Sequence, residues 1–159
     1  MRIPIFSMSI GTSICSFTGQ MLAMLSLPFF LQETLKRSDV TTGLLLTPWP
    51  IATMIIAPLA GRLVERIHAG ILGSIGMTIF AIGLFLLAVL PSNPTNMDII
   101  WRLFICGSGF GLFQTPNNST IISSAPSNRS GGASGMLGTA RLLGQTLGAT
   151  QVAMIFYLV

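Results

Sequence analysis

Charge is what this sequence lacks most. Lys and Arg number eight and Asp and Glu four in 159 residues, 8% together, where a soluble domain carries roughly 25%. So few charges cannot cover the exterior of a water-soluble fold of this size, which excludes an ordinary globular protein in water. The basic residues are scattered, with no basic run interleaved with aromatics, so nucleic acid is not an expected partner. Histidine occurs once, as His68, with only Glu65 near it in sequence, so neither a metal site nor a cofactor is expected. The two cysteines, Cys15 and Cys106, sit in apolar stretches without the pairing of a zinc site or a disulfide framework, and read as small packing residues. No nucleophile stands beside a base, and the glycines of "GSGFG" follow no strand, so an enzyme is not expected either.

What is abundant is apolar: 51% of the residues, arranged in five runs of the ~20 residues that cross a ~30 Å hydrocarbon layer. They cover about 7–31, 42–61, 71–90, 99–123 and 132–157. The first begins like a signal peptide, but it continues through Leu31 and four more follow, so it reads as a retained membrane helix. The breaks between runs are short: "QETLKRSDV", "RLVERIHAG", "PSNPTNMD" and "SAPSNRSGG". The expected fold class is therefore all-α integral membrane, with lipid as the solvent. Short breaks make successive helices antiparallel. A cytoplasmic N-terminus then puts Arg2, Arg62, Arg66 and Arg129 inside and Lys36 and Arg37 outside, the positive-inside direction. Arg102 and Arg141 fall within helices. The last run ends "MIFYLV" with no polar tail, and the chain reads as a piece of something longer.

Several of these helices carry residues that helices in water avoid. Pro28 lies in the first and Pro48, Pro50 and Pro58 in the second, tolerated in membranes where neighbouring helices and kinks satisfy the freed carbonyls. In the fourth, Gly107, Gly111, Gln114 and Asn118 fall within a stripe about 60° wide. Ser134, Gly138, Arg141, Gln145 and Gly148 share a face of the fifth, where Gly144 and Gly148 also make a small-xxx-small pair. Such stripes either pack on another polar helix or line a wet cavity. Arg141 either snorkels to the cytoplasmic surface or, as expected here, points into the protein, its cost offset by carbonyls or amides of a neighbouring helix. Glu33, Asp39, Glu65 and Asp98 all lie at helix ends or in breaks, so an intramembrane acid of the kind that loads protons in a pump would stand outside this chain.

Three stretches resemble the C-terminal half of a major facilitator superfamily transporter, specifically the fourteen-helix drug:proton antiporter branch. "LPFFLQETLKRSDVTTGLLLTPWP" is similar to the first helix pair of that half. "PLAGRLVERIHAG" resembles the superfamily's cytoplasmic loop motif at Gly61, Leu63, Glu65 and Arg66, with His68, Ala69 and Gly70 where glycine and further basic residues would stand. The third runs from Arg102 through "GSGFGLFQTP" to "GGASGMLGTARLLGQTLGA", and Gly135, Gly144 and Gly148 echo the antiporter glycine spacing, with Ala149 in place of its proline.

The resemblance implies that the five helices are core helices seven to eleven of a six-helix C-terminal bundle, with the N-terminal half and the last helix missing. It implies a multi-pass protein of the bacterial inner membrane that exports small amphipathic or cationic compounds by proton antiport. Lipid, substrate and protons are then its partners in the full-length transporter. Alternating access rocks one half against the other around a midplane site, so the piece alone is expected to be inactive. The candidate cavity residues are Gln114, Asn117, Asn118 and Gln20, with Met21, Met24, Phe29 and Phe30 suited to organic cations or else to core and lipid contact. Gly61, Arg62, Glu65 and Arg66 form either a gate latch or a positive-inside anchor. A truncated remnant, a non-transporting subunit and an uptake permease of the same fold stay open as alternatives.

Overall fold

The computed structural model describes residues 3–91, 93–124 and 130–158, so Arg2 and Arg129 lie outside the described residues. The described elements are all helical. α1 covers Ile3–Phe29 and widens into a π-helical turn, Phe30–Thr34. The widening follows Pro28, which has no N–H to give to the carbonyl four residues back. Leu35 N–H then reaches Phe30 O, five residues back, at 3.3 Å. Lys36 ends the turn in the left-handed region at φ 51°, and Arg37 N–H returns to Leu31 O at 3.0 Å.

The run expected as one helix over 42–61 is broken in two. α2 is Asp39–Leu46 and α3 is Pro48–Val64. Pro48 and Pro50 each lack the N–H that would continue the ladder to Leu44 and Leu46, and both fall in the first turn of α3, where those donors are orphans anyway. Thr47 repairs part of the gap: its N–H reaches Leu44 O at 3.3 Å and its Oγ1 donates to Gly43 O at 2.9 Å. Ser38 caps α2, accepting from Thr41 N–H at 3.3 Å.

α4 covers Ala69–Ala88 and is capped by His68, whose Nδ1 accepts from Gly70 N–H at 3.2 Å. α5 is Asn96–Ser124 and α6 is Ser130–Leu158. α5 opens on a reciprocal cap: Asp98 accepts from Thr95 N–H at 3.0 Å and from Thr95 Oγ1 at 2.6 Å, while Asp98 N–H reaches back to Thr95 Oγ1 at 3.3 Å.

By length and composition, Pro4–Thr34, Asp39–Val64 and Ala69–Ala88 are long and apolar enough to cross a membrane. α5 and α6 have 29 residues each, about 43 Å of helix, but their Gly, Ser, Thr, Asn and Gln lower their hydropathy below the other three. Val40, Leu44, Met54, Phe85, Met97 and Leu142 are among the large apolar side chains left exposed, as a lipid-facing surface requires.

The chain forms two compact units, Leu27–Pro116 and Met1–Ser26 with Asn117–Val159. In the first, α5 is gripped by α3 and α4 through glycines. Beside α3, a Cβ on Gly107 would run into the carbonyl of Trp49 and stand 3.0 Å from Ala52 Cβ, and one on Gly111 would come 3.3 Å from Thr53 Cα. Beside α4, a Cβ on Gly109 would strike the Phe80 backbone. Gly76 and Gly83 of α4 return the contact, meeting the Phe113 backbone and, at 2.6 Å, Cys106 Sγ. Helices this close let hydroxyls bridge them: Thr53 Oγ1 donates to Gly107 O at 3.1 Å and Thr115 Oγ1 reaches Ala57 O at 3.5 Å. Trp49, Phe80 and Phe110, all buried, fill the space between with ring centroids 5.5–6.3 Å apart.

In the second unit, α6 sits on α1. A Cβ on Gly144 would stand 2.6 Å from Ile14 O, and one on Gly148 2.6 Å from Thr18 O. Thr12, Ser13, Ser16 and Thr18 of α1 donate back along their own helix: Ser13 and Ser16 are buried and donate to Ser9 O and Ser13 O, both at 2.9 Å.

Candidate functional site

The candidate residues separate into those the structure spends on packing and those it leaves open. Gly107 and Gly111 belong to the contact with α3, extended by Thr115 to three positions at four-residue spacing. Gln114, expected on the same stripe, is half-buried, as is Asn118. Asn117 is buried, and its Nδ2 donates to Ser13 Oγ at 2.7 Å. That bond ties α5 to α1 inside the second unit, so Asn117 holds helices together where a cavity position was expected. Its neighbour Asn118, 100° further round the helix, does not share that direction. Gln20, Met21, Met24 and Phe30 are half-buried and Phe29 is exposed.

The stripe of α6 needs a similar correction. Its buried face is Ala133, Ala140, Gly144, Gly148 and Val152, centred about 70° round the helix from the expected polar stripe. The physical reason is size together with position round the helix: Ala133, Ala140, Gly144 and Gly148 are small on the side that α1 approaches, while Arg141 and Gln145 are too long for the seam and Gly138, though small, is turned away from α1. Ser134, Gly138 and Arg141 are therefore exposed on the chain and Gln145 half-buried. A Cβ on Gly138, or on Gly135, would have nothing within 4 Å. The Arg141 guanidinium lies 5.7 Å from the ring centroid of Phe17 on α1, so within the chain its partner is an aromatic face, not the carbonyl or amide expected.

At the end of α3, Arg62, Glu65 and Arg66 are exposed and Gly61 is half-buried against Thr115. Among the described residues no ion pair joins the three charged groups; the pair the described chain does form is Lys36 with Glu33, at 3.9 Å on the surface. Arg62 stands in the last turn of α3, where the helix dipole favours a cation.

Three polar groups that sequence reasoning passed over stand out by what they lack. Thr42 Oγ1, Trp49 Nε1 and two nitrogens of Arg102, Nε and Nη1, are buried without a hydrogen-bond partner among the described residues. The one signal in the sequence was Arg102 itself, a charge in an apolar run. Asp98, one turn before it at the aqueous end of α5, is held below the usual carboxylate range, first by the Thr95 hydroxyl, then by the Thr95 N–H, with smaller contributions from Trp101 and Arg102.

Long apolar helices with exposed apolar flanks, prolines at their breaks and backbone-to-backbone glycine seams define a multi-pass membrane helix bundle. The chain belongs to the Major Facilitator Superfamily, which it matches over residues 2–149; this is a family of transporters. It is 66% identical over 155 residues to the uncharacterized transporter YebQ of Escherichia coli, covering 98% of this chain and 34% of that protein. It is 32% identical over 144 residues to the multidrug resistance protein Stp of Mycobacterium tuberculosis, covering 90% of this chain and 26% of Stp. It is 30% identical over 143 residues to the riboflavin transporter RibZ of Clostridioides difficile, covering 90% of this chain and 31% of RibZ. The chain thus spans about a third or less of the length of these relatives.

Proposed function

We propose that this chain is helices seven to eleven of a secondary active exporter of the bacterial inner membrane, with its N-terminus cytoplasmic. The whole protein exchanges protons for small amphipathic or cationic compounds by alternating access. The observation that carries this reading is the alignment of nearly the whole chain with transporters in one order, one of them named for multidrug resistance. Physical features support the division of labour. The four acids of the chain stand at helix ends or in breaks, so the proton-loading group belongs to the remainder of the transporter. The half-buried amides Gln114 and Asn118, with Gln20 as a further candidate, supply hydrogen bonds to cargo. The margin of α6 beside the seam, exposed at Ser134, Gly138 and Arg141 and half-buried at Gln145, meets the N-terminal half, because lipid cannot answer its polar groups. Gly61, Arg62, Glu65 and Arg66 anchor the cytoplasmic end and latch it when the other half closes on them.

The test is a chimera in which this chain replaces the matching third of the Escherichia coli relative, expressed in an efflux-deficient strain beside the chain alone. Ethidium, an amphipathic cation, and riboflavin serve as cargoes. Lower ethidium accumulation with the chimera, abolished by a protonophore, and no change with the chain alone is the expected result. Efflux by the chain alone refutes its dependence on the remainder. Transport of riboflavin but not ethidium replaces the cationic cargo.

A further inference from the structure

Arg102 and Arg141 both bring a charge into a helix, but Arg141 is exposed, whereas Arg102 has donors buried without an acceptor among the described residues. It lies in the second turn of α5, about 10 Å along the helix from the Thr95 cap. Its Nε and Nη1 are buried with no hydrogen-bond partner. Burying guanidinium donors without acceptors costs several kcal/mol in general, and an orphan of this kind asks for a missing partner. Asp98, one turn before it, takes the Thr95 N–H and hydroxyl on Oδ2 and acts on Arg102 through its charge, but no hydrogen bond joins it to Nε or Nη1 of Arg102. What holds the Arg102 head is the ring of Trp101, 5.1 Å from centroid to guanidinium carbon.

The surroundings say what that partner is. Trp101, Met97 and Phe104 are exposed at 38%, 69% and 41% and form the uncovered face of the same end of α5. A tryptophan beside an arginine one to two turns below an aqueous cap marks the level of the lipid headgroups. No hydrogen bond pins the guanidinium, so the side chain can swing along its stem toward that face. We propose that Arg102 holds the phosphodiester of a phospholipid headgroup, with the acyl chains lying along Trp101 and Phe104. The ligand chemistry is an anionic phosphate oxygen pair, which a planar guanidinium binds through paired N–H donors.

The test uses the 159-residue chain purified in dodecyl maltoside, titrated with dioleoylphosphatidylglycerol, dioleoylglycerol and inorganic phosphate, and read by native mass spectrometry. The expected result is one phosphatidylglycerol retained per chain, unaffected by Arg66→Gln and weakened about tenfold by Arg102→Gln. Dioleoylglycerol should bind no better than phosphatidylglycerol binds to Arg102→Gln. Equal retention by the Arg102→Gln chain overturns the proposal, as does equal binding of dioleoylglycerol. Displacement of the lipid by millimolar phosphate would make the site one for a free anion and overturns it too. A second measurement does not depend on how Arg102→Gln folds. With Trp49→Phe leaving Trp101 as the one indole of the chain's two, brominated phosphatidylglycerol should quench its fluorescence and saturate near one lipid per chain. Quenching that rises without saturation is the mark of ordinary annular lipid and would overturn the assignment.

Discussion

Gly107→Ala should destabilise the chain by far more than its single methyl suggests, whereas Gly138→Ala should not. At Gly107 the new Cβ meets the carbonyl of Trp49 and stands 3.0 Å from Ala52 Cβ, so α3 and α5 have to separate. Overpacking of this kind costs about 1–3 kcal/mol. The bond from Thr53 Oγ1 to Gly107 O, 3.1 Å now, is lost as well, about 0.6 kcal/mol for an interhelical bond in a membrane protein. Against this stands the better helix propensity of alanine, about 1 kcal/mol. The balance is roughly 2 kcal/mol of lost stability, or about 4–8 °C in Tm for a chain of this size. At Gly138 nothing lies within 4 Å, so only the propensity gain remains and Tm should hold or rise. The assay is thermal unfolding of the two purified variants in detergent, followed by circular dichroism. No side-chain change on α3 should rescue Gly107→Ala, because the obstructing atom belongs to the backbone. Equal melting of the two variants, or restoration of Gly107→Ala by Ala52→Gly, would mean that the Trp49 carbonyl does not set the spacing of α3 and α5.

Asn117→Ala removes the donor to Ser13 Oγ, whose own bond to Ser9 O remains, and the lost bond should cost about 0.5–1.5 kcal/mol; Asn118→Ala, measured in the same melting experiment, should cost much less. Thr42→Val keeps the shape and deletes a buried hydroxyl that has no partner, and should raise stability by about 1 kcal/mol in denaturant titration. The depressed carboxyl of Asp98 is charged in the fold below the pH at which an unfolded Asp protonates. Its stabilisation is thus complete above about pH 4 and is lost as pH falls through its lower folded value. Melting at pH 7 and at pH 3 should show that decline, and Asp98→Asn should remove that part of it.

The helices were legible because each apolar run is long and the breaks between them are polar. The interruption at Thr47 was half legible: Pro48 and Pro50 announced a kink, and their spacing across one turn made it a break. The π turn after Pro28 had no such signal, since a proline says that a bond is missing but not how the next turn closes. The glycines show the limit most clearly. Gly107, Gly109 and Gly138 look alike in a helix, yet the first meets α3, the second meets α4 and the third meets nothing. Which face of a helix gains a neighbour depends on the whole bundle, and glycine carries no side chain to betray it. Asn117 and Asn118 differ in the same way, by one residue of helical rotation.

The glycine seams on both sides of α5 also bear on how such a protein can move. Where backbones touch directly, as at Gly107 with Trp49 and Gly109 with Phe80, no side chain stands between to repack, and α5 is held to α3 and α4 at fixed points. Bending is then left to places where the ladder is already interrupted, Thr47 and the turn after Pro28 among them.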